Sequence, residues 1–186
     1  MRSFSILWRR LDVAGHDSAR LIEDAAGSIV EGTAVFLEQG QSCRLDYRVT
    51  CDAAWRTTSA RVTGWLGDRT IGIEMTADTG RRWTIGGVEC PSVQGCDDVD
   101  LSFSPVTNLL PIRRLGLHIG QRASARAAWL DFPSFRLEPL EQIYERLRAS
   151  SYRYESGGGA FTTTLQVNAA GIVTSYPPFW EEEVAR

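Results

Sequence analysis

Apolar and polar residues alternate with a period of two along much of this 186-residue chain. The clearest case is residues 43–51, where every second residue is apolar and most of the residues between are charged. This period is typical of a strand with one face on a core and the other in water. A shift by one residue would bury two arginines and an aspartate, so the pattern also fixes the strand register.

The same pattern predicts many short strands separated by glycine, proline and aspartate turns. These turn signals recur about every ten residues, which is typical of an antiparallel meander that curls on itself. We therefore expect a mainly β protein, a single antiparallel curled sheet forming an open barrel or spiral β-roll with one or two short helical turns, in one domain over residues 1–186. Besides 43–51, the predicted strands cover residues 5–11, 17–26, 28–37, 57–66, 69–76, 81–85, 98–103, 121–130, 152–155, 161–167 and 172–176.

Three segments are less clear from their pattern. In residues 135–147, Leu137, Leu140, Tyr144 and Leu147 have helical spacing, so periodicity alone favours a helix, although an extended segment is also compatible. Residues 106–110 lie between two prolines and predict a turn or one short helical turn, with the residue before the second proline extended. After the two prolines at 177–178, the remaining residues are expected to form a tail.

Composition excludes several classes of protein. The net charge is −3 and all twenty basic residues are arginines spread along the chain, which argues against a nucleic-acid groove. No apolar run approaches the roughly 20 residues of a membrane span, and the N-terminus lacks a secretory leader, so we expect a cytoplasmic protein. The four cysteines form no Cys-x-x-Cys pair and two histidines lie far from them, so neither a metal nor a cofactor is expected.

Asp98 and Asp100 share one face of a predicted strand, and Arg113 and Arg114 follow soon after it. Three interpretations remain open. The two carboxylates form a hard-cation site, or they divide acid and base roles in catalysis, or they are bridged by arginine and stabilise the loop. Nucleophile-elbow, P-loop, dinucleotide-binding and zinc-protease motifs are absent, and histidine catalysis would have to use His16 or His118.

Tryptophan and tyrosine residues occur on nearly every predicted strand. Each gives a large apolar body with one polar tip, so an inward-facing set either lines a cavity for an acyl chain or a sugar ring, or fills the core. Alanines at 123, 125 and 127 leave volume unfilled beside these aromatic residues, and both interpretations remain open.

Several runs resemble a known family: residues 51–55, 95–100, 105–115, 128–129, 152–156 and 171–177. They are similar to the bacterial glycolipid-binding family, formerly a domain of unknown function, and the run PVTNLLPIRRL is the most specific. The resemblance covers nearly the whole chain. It implies a spiral β-roll similar to periplasmic lipoprotein carriers, in which residues 135–147 would be extended rather than helical.

The leading hypothesis is therefore a module that binds a lipid, a glycolipid or another small amphiphile in the concave face of the sheet, with its polar end at the aspartates and arginines. An enzyme that uses Asp98 and Asp100 is one alternative, and a partner-binding protein that uses an apolar tail at 176–180 is another. No catalytic residue is assigned. The candidate ligand-binding residues are Trp55, Trp65, Trp83, Trp129, Asp98, Asp100, Asn108, Arg113, Arg114, Tyr144 and Tyr154.

Overall fold

The structure is a computed structural model that describes residues 1–184. Its strands form one 15-stranded sheet in the order β8-β7-β6-β5-β4-β3-β2-β1-β15-β14-β13-β12-β11-β10-β9. The strands are β1 (Arg2–Arg10), β2 (Gly15–Glu23), β3 (Gly27–Glu38), β4 (Gln41–Asp52), β5 (Thr57–Leu66), β6 (Arg69–Ala77), β7 (Trp83–Ile85), β8 (Val88–Glu89), β9 (Asp98–Leu101), β10 (Arg122–Leu130), β11 (Leu137–Arg148), β12 (Ser151–Ser156), β13 (Phe161–Val167), β14 (Val173–Tyr176) and β15 (Trp180–Glu182).

The curled, mainly antiparallel sheet predicted from the alternation is confirmed. Every second residue of β4 from Cys43 to Cys51 is buried, as the period of two requires. The paired strands β1 to β6 place Trp8, Leu45 and Val62 in the core without measurable exposure. The parallel pair of β9 with β10 is the exception to the antiparallel pattern.

Strand β9 lies at the opposite end of the strand order from β8, which precedes it in the chain. The apolar residues of this segment, among them Val99, Leu101 and Phe103, pack into the core. The Val99 amide donates to Thr57 Oγ1 at 3.0 Å, and the Thr57 amide donates to the carbonyl of Asp97 at 3.0 Å. These bonds satisfy the edge of β9 against the start of β5, and both faces of β9 carry buried residues. A period-two pattern therefore did not mean one wet face here, because the strand lies inside the roll.

A 3-10 turn (Pro105–Asn108) and helix α1 (Leu109–Leu115) follow β9. The Ser104 hydroxyl caps the turn by accepting from the Val106 amide, and Gly116 ends the helix with a positive φ of 53°. The predicted helical turn is confirmed but longer than expected, and the expected extended residue before Pro111 is wrong. Pro111 lies in the first turn of α1, where its missing N–H costs no intrahelical hydrogen bond.

Residues 135–147 form most of strand β11, so the helix favoured by periodicity is wrong and the extended form implied by the resemblance is correct. The strand pairs with β10 on one side and β12 on the other. Tertiary pairing overrides the local pattern, since Gln142 and Tyr144 bury a period-two face that the leucine spacing had hidden.

The C-terminal residues form strand β15 rather than the expected tail. β15 pairs with both β1 and β14 and so joins the two halves of the sheet. Trp180 is 3% exposed. The partner-binding alternative loses its basis, because the aromatic residues of this segment pack into the roll.

Candidate functional site

A cleft of about 340 Å³ opens beside β9, between strands β10 to β12 on one side and β13 to β15 on the other. The end of β1 closes its remaining side. Its lining combines an aromatic wall with a floor of polar groups, which is the usual composition of a small-molecule site. The residues that line it are Arg10, Asp12, Asp100, Leu101, Ser102, Ser104, Asn108, Trp129, Leu140, Tyr154, Ser156, Gly157, Ala160, Phe161, Tyr176, Phe179 and Trp180.

The wall consists of four aromatic rings in mutual contact. Phe161 and Phe179 stack with centroids 5.5 Å apart and an interplanar angle of 28°. Tyr176 meets Phe179 edge-on at 5.6 Å and Tyr154 at 5.8 Å. The continuous face of these rings can pack against the C–H surface of a bound ring or a short alkyl segment.

Asp100 provides the acidic group of the floor. Gln142 Nε2 donates to Asp100 Oδ2 at 2.6 Å and lies 3.0 Å from Tyr154 Oη. Burial raises the pKa of the Asp100 carboxyl to about 6; the hydrogen bond from Gln142 opposes this shift, and the nearby Asp98 charge adds to it. Asp100 therefore changes its charge near neutral pH.

Asn108 is held in one orientation by its neighbours. Its Oδ1 accepts from the Tyr144 hydroxyl at 2.9 Å, and its Nδ2 donates to the Pro105 carbonyl at 3.1 Å. Tyr144 has no exposed surface and lies behind the cleft. It therefore positions Asn108 rather than lining the cleft itself.

Arg10 supplies the cation of the cleft lining and Asp12 neutralises it. The guanidinium donates from Nε to Asp12 Oδ1 at 3.1 Å and from Nη2 to Oδ2 at 2.7 Å. Its Cζ also lies 4.4 Å from the ring centroid of Phe36 and 5.1 Å from that of Trp180. This forked pair between two rings leaves Arg10 little freedom to turn toward another anion.

A second buried carboxyl, Asp17, lies behind the floor. The Ser104 hydroxyl and the Tyr47 hydroxyl both bond to it, the latter at 2.9 Å from Oδ1. Burial raises the pKa of Asp17 to about 7, against the lowering effect of these two hydrogen bonds. Sequence reasoning did not single out Asp17, although its place in the period-two face with Ala19 and Leu21 was a signal for a buried acid.

Four of the eleven candidate residues lie at the cleft: Trp129, Asp100, Asn108 and Tyr154. Asp98 lies two residues before Asp100 on β9. It is buried and forms a salt bridge with Arg114, whose Nε is 3.2 Å from Asp98 Oδ1. Burial raises the pKa of Asp98, and the Arg114 hydrogen bond opposes the shift. The bridged interpretation therefore describes Asp98, but it does not describe Asp100.

The other candidates lie elsewhere. Arg113 pairs with Glu23 and lies 4.5 Å above the ring of Trp55, so the two neighbouring arginines diverge from helix α1. Trp65 is 40% exposed on the outer face, beside Arg44. Trp83 is fully buried and donates its indole N–H to the Cys96 carbonyl at 2.9 Å.

Sequence reasoning missed Arg10, Asp12 and most of the aromatic wall. One signal was available for the wall. No charged residue occurs from Ser156 to Trp180, although 23% of the chain is charged, and this run supplies Phe161, Tyr176 and Phe179. Tyrosines also fill the volume beside the alanines of β10, because Ala125 packs in one cluster with Tyr144 and Tyr154.

Across residues 1–184, no cluster of three histidine, cysteine or acidic side chains is arranged to hold a metal ion. No helix in the same range has the length and apolar character needed to cross a membrane.

These features define an open β-roll with a small aromatic and acidic cleft at one side. A family described as "Putative glycolipid-binding" matches residues 5–182, and the chain belongs to this family. The crystal structure of a DUF1089 family protein from Pseudomonas aeruginosa is similar, with 31% sequence identity, a TM-score of 0.78, and coverage of 97% of this chain and 92% of that one. No curated protein matches the chain.

Proposed function

We propose that this protein binds a glycolipid or a similar small amphiphile, and that the cleft receives the polar head. The cleft itself carries the proposal, because a wall of stacked rings faces a floor with fixed hydrogen-bonding groups. The description of the family supports the same class of ligand.

Packing of the concave side favours the head rather than a whole acyl chain as the occupant of the cleft. Trp8, Trp83, Phe103 and Tyr144 are among the largest fully buried side chains, and they fill the region that a long chain would need. A volume of about 340 Å³ is at the low end for small-molecule pockets, which favours one ring with its linkage.

A two-carboxylate enzyme that uses Asp98 and Asp100 is less well supported. Asp100 lines the cleft, whereas Asp98 does not and is occupied by Arg114. The two groups therefore do not face a common substrate position, as acid and base catalysis would require.

The test is a fluorescence titration with octyl β-glucoside below its micelle concentration, since Trp129 and Trp180 line the cleft. Replacing Phe179 with alanine should weaken binding about three- to tenfold, because it removes one stacked ring. Trp65→Ala is the matched control: it removes an aromatic residue from the outer face and should leave the affinity unchanged.

Native mass spectrometry of protein purified from cells provides an independent readout of the ligand. An amphiphile that co-purifies with the wild-type protein and is depleted in Phe179→Ala supports the cleft. Equal affinity in the two titrated variants, or no binding at all, would rule the cleft out as the site.

A further inference from the structure

We infer that the head taken by this cleft is an uncharged sugar ring, and that Asp100 rejects anionic heads such as uronic acids and phosphates. This inference rests on the proposed function and adds the chemical class of the head. The geometry of the hydrogen-bonding groups, the charge of the lining and the composition of the wall each point to it.

The lining of the cleft offers acceptors and one unused donor, since Arg10 Nη1 is buried and has no hydrogen-bond partner among residues 1–184. Gln142 occupies Oδ2 of Asp100, whereas Oδ1 accepts no hydrogen bond from residues 1–184 and is not sealed from the cleft. The Ser102 hydroxyl already donates to the Leu130 carbonyl at 2.8 Å and so offers lone pairs. A ligand that matches this lining presents both donors and acceptors, as the hydroxyl groups of a sugar do.

The charge of the lining opposes an anion. Arg10 is the cation that lines the cleft, and Asp12 forms a forked pair with it. With that pair neutral, an ionised Asp100 leaves one net negative charge. Asp12 occupies Nε and Nη2 of Arg10, so a phosphate or carboxylate head could contact Nη1 without displacing Asp12 but would still be repelled by an ionised Asp100.

The wall contributes no charge of either sign. It comes from the charge-free run between Ser156 and Trp180, so a bound ring meets Phe161, Tyr176 and Phe179 without an ion pair to satisfy. Apolar ring faces suit a neutral sugar, whose C–H surface can be desolvated at little cost, better than a hydrated anion.

The side chain that hydrogen-bonds to Asp100 is the neutral Gln142, so its charge is not compensated by a bonded cation. Burial places its pKa at about 6, so Asp100 is mainly ionised at pH 7.5 and mainly protonated at pH 5. Rejection of anions should therefore weaken as the pH falls through this range. The titratable and charged groups around it are Asp98 on its own strand, Tyr144 on β11, Tyr154 on β12, Tyr176 on β14, and the Arg10–Asp12 pair at the end of β1. Asp17 on β2 lies behind the floor, bonded to Ser104, and also titrates in this range.

The test compares three amphiphiles with one octyl chain and different heads: octyl β-glucoside, octyl β-glucuronide and octyl phosphate. At pH 7.5 the wild-type protein should bind the glucoside about tenfold or more tightly than either anion. The glucuronide differs from the glucoside by a carboxylate that stays ionised at pH 5. Its disadvantage should therefore shrink at pH 5 while the glucoside affinity changes less.

Asp100→Asn keeps the acceptor for Gln142 and removes the charge. It should bind the glucuronide more tightly than the wild type does, and its preference should depend on pH less than the wild-type preference, because Asp17 is then the remaining acid behind the floor that titrates in this range. Such a gain of binding is not expected from a purely structural role. Asp46→Asn is the matched control, because it removes one negative charge from the outer face of β4, where Asp46 contacts Thr33 and Arg44.

The outcomes separate the two proposals. If none of the three amphiphiles binds, the proposed function fails. If the glucuronide or the phosphate binds as well as the glucoside at pH 7.5, the cleft still binds amphiphiles and the inference is overturned. An Asp100→Asn variant that folds but keeps the wild-type preference would overturn the role of Asp100. A pH dependence that is the same in this variant as in the wild type would also overturn it, because the dependence would then belong to Asp17.

Discussion

The two halves of the sheet use the same antiparallel pattern for different ends. In the N-terminal half, β1 to β6, the charged side chains lie on the outer face, where Glu31 bonds to both Arg20 and Arg48, and the inner face is mainly apolar. In the C-terminal half, β10 to β14, the inner face carries tyrosines and a glutamine that bond to the floor of the cleft. The polar tips of Tyr154 and Tyr176 thus lie on the half of the sheet that borders the cleft.

Each half of the sheet also supplies a hydrogen bond to a carboxyl on its inner side. Asp17 of the N-terminal half bonds to Tyr47 and Ser104 and is wholly buried. Asp100, on β9, bonds to Gln142 of the C-terminal half and remains accessible from the cleft. The two acids thus differ in access: Asp17 is enclosed, whereas Asp100 borders the cleft.

The largest expected loss of stability comes from replacing one tryptophan in each half of the sheet. Trp8→Ala should lower the free energy of unfolding by about 3–5 kcal/mol, since it empties a fully buried site and removes the indole bond to the Val173 carbonyl. Trp129→Ala should cost less stability, because Trp129 is only partly buried, and should mainly weaken glucoside binding. Urea unfolding and titration of both variants measure the contrast, and equal losses of stability would contradict it.

The buried acids predict a pH dependence of stability. The folded chain keeps the Asp17 proton up to about pH 7, whereas the unfolded chain releases it near pH 4, so stability should fall as the pH rises through this window. Between pH 5 and pH 8 this loss is about 3 kcal/mol for Asp17 and about 1 kcal/mol for Asp100, whose pKa is nearer 6.

Urea unfolding at pH 5 and pH 8 checks both acids. Asp17→Asn should reduce the loss of unfolding free energy between pH 5 and pH 8 more than Asp100→Asn does. If the two variants keep the wild-type slope, the buried acids are not the cause of the pH dependence.

A smaller loss of stability is expected from replacing Gly32, whose missing side chain leaves room for Tyr47 to reach Asp17. A Cβ at Gly32 would lie 2.4 Å from the Tyr47 hydroxyl and 2.5 Å from the Ser18 carbonyl. Gly32→Ala should therefore cost about 2 kcal/mol by displacing the tyrosine and weakening the Asp17 group. Gly72→Ala on β6 is the matched control, because its Cβ meets no atom within 4 Å. The change in thermal midpoint measures both, and similar values would show that the close approach at Gly32 is unimportant.

Much of the fold could be read from local pattern. The strand from Cys43 to Cys51 was predicted in register, because burial of one face leaves a single arrangement without buried charge. Residues 135–147 could not be assigned in this way, because leucine spacing gave a helical period while partners from distant segments held the strand. The fate of the C-terminal residues depended on a strand nearly the whole chain away, β1.

The candidate site was only partly predictable for the same reason. Asp98 and Asp100 are two residues apart and look alike in sequence, yet one meets Arg114 and the other meets Gln142. Arg10 and Asp12 gave no signal, since their role arises only where the end of β1 reaches the cleft.

The alternation of apolar and polar residues was sufficient to predict a curled, mainly antiparallel sheet with core and solvent faces, because alternation is a local property of each strand. Which acid borders the cleft and which is enclosed could not be read from that spacing. It depends on contacts among β9, β11, β1 and β15, and these contacts arise only when distant strands pair and the sheet curls.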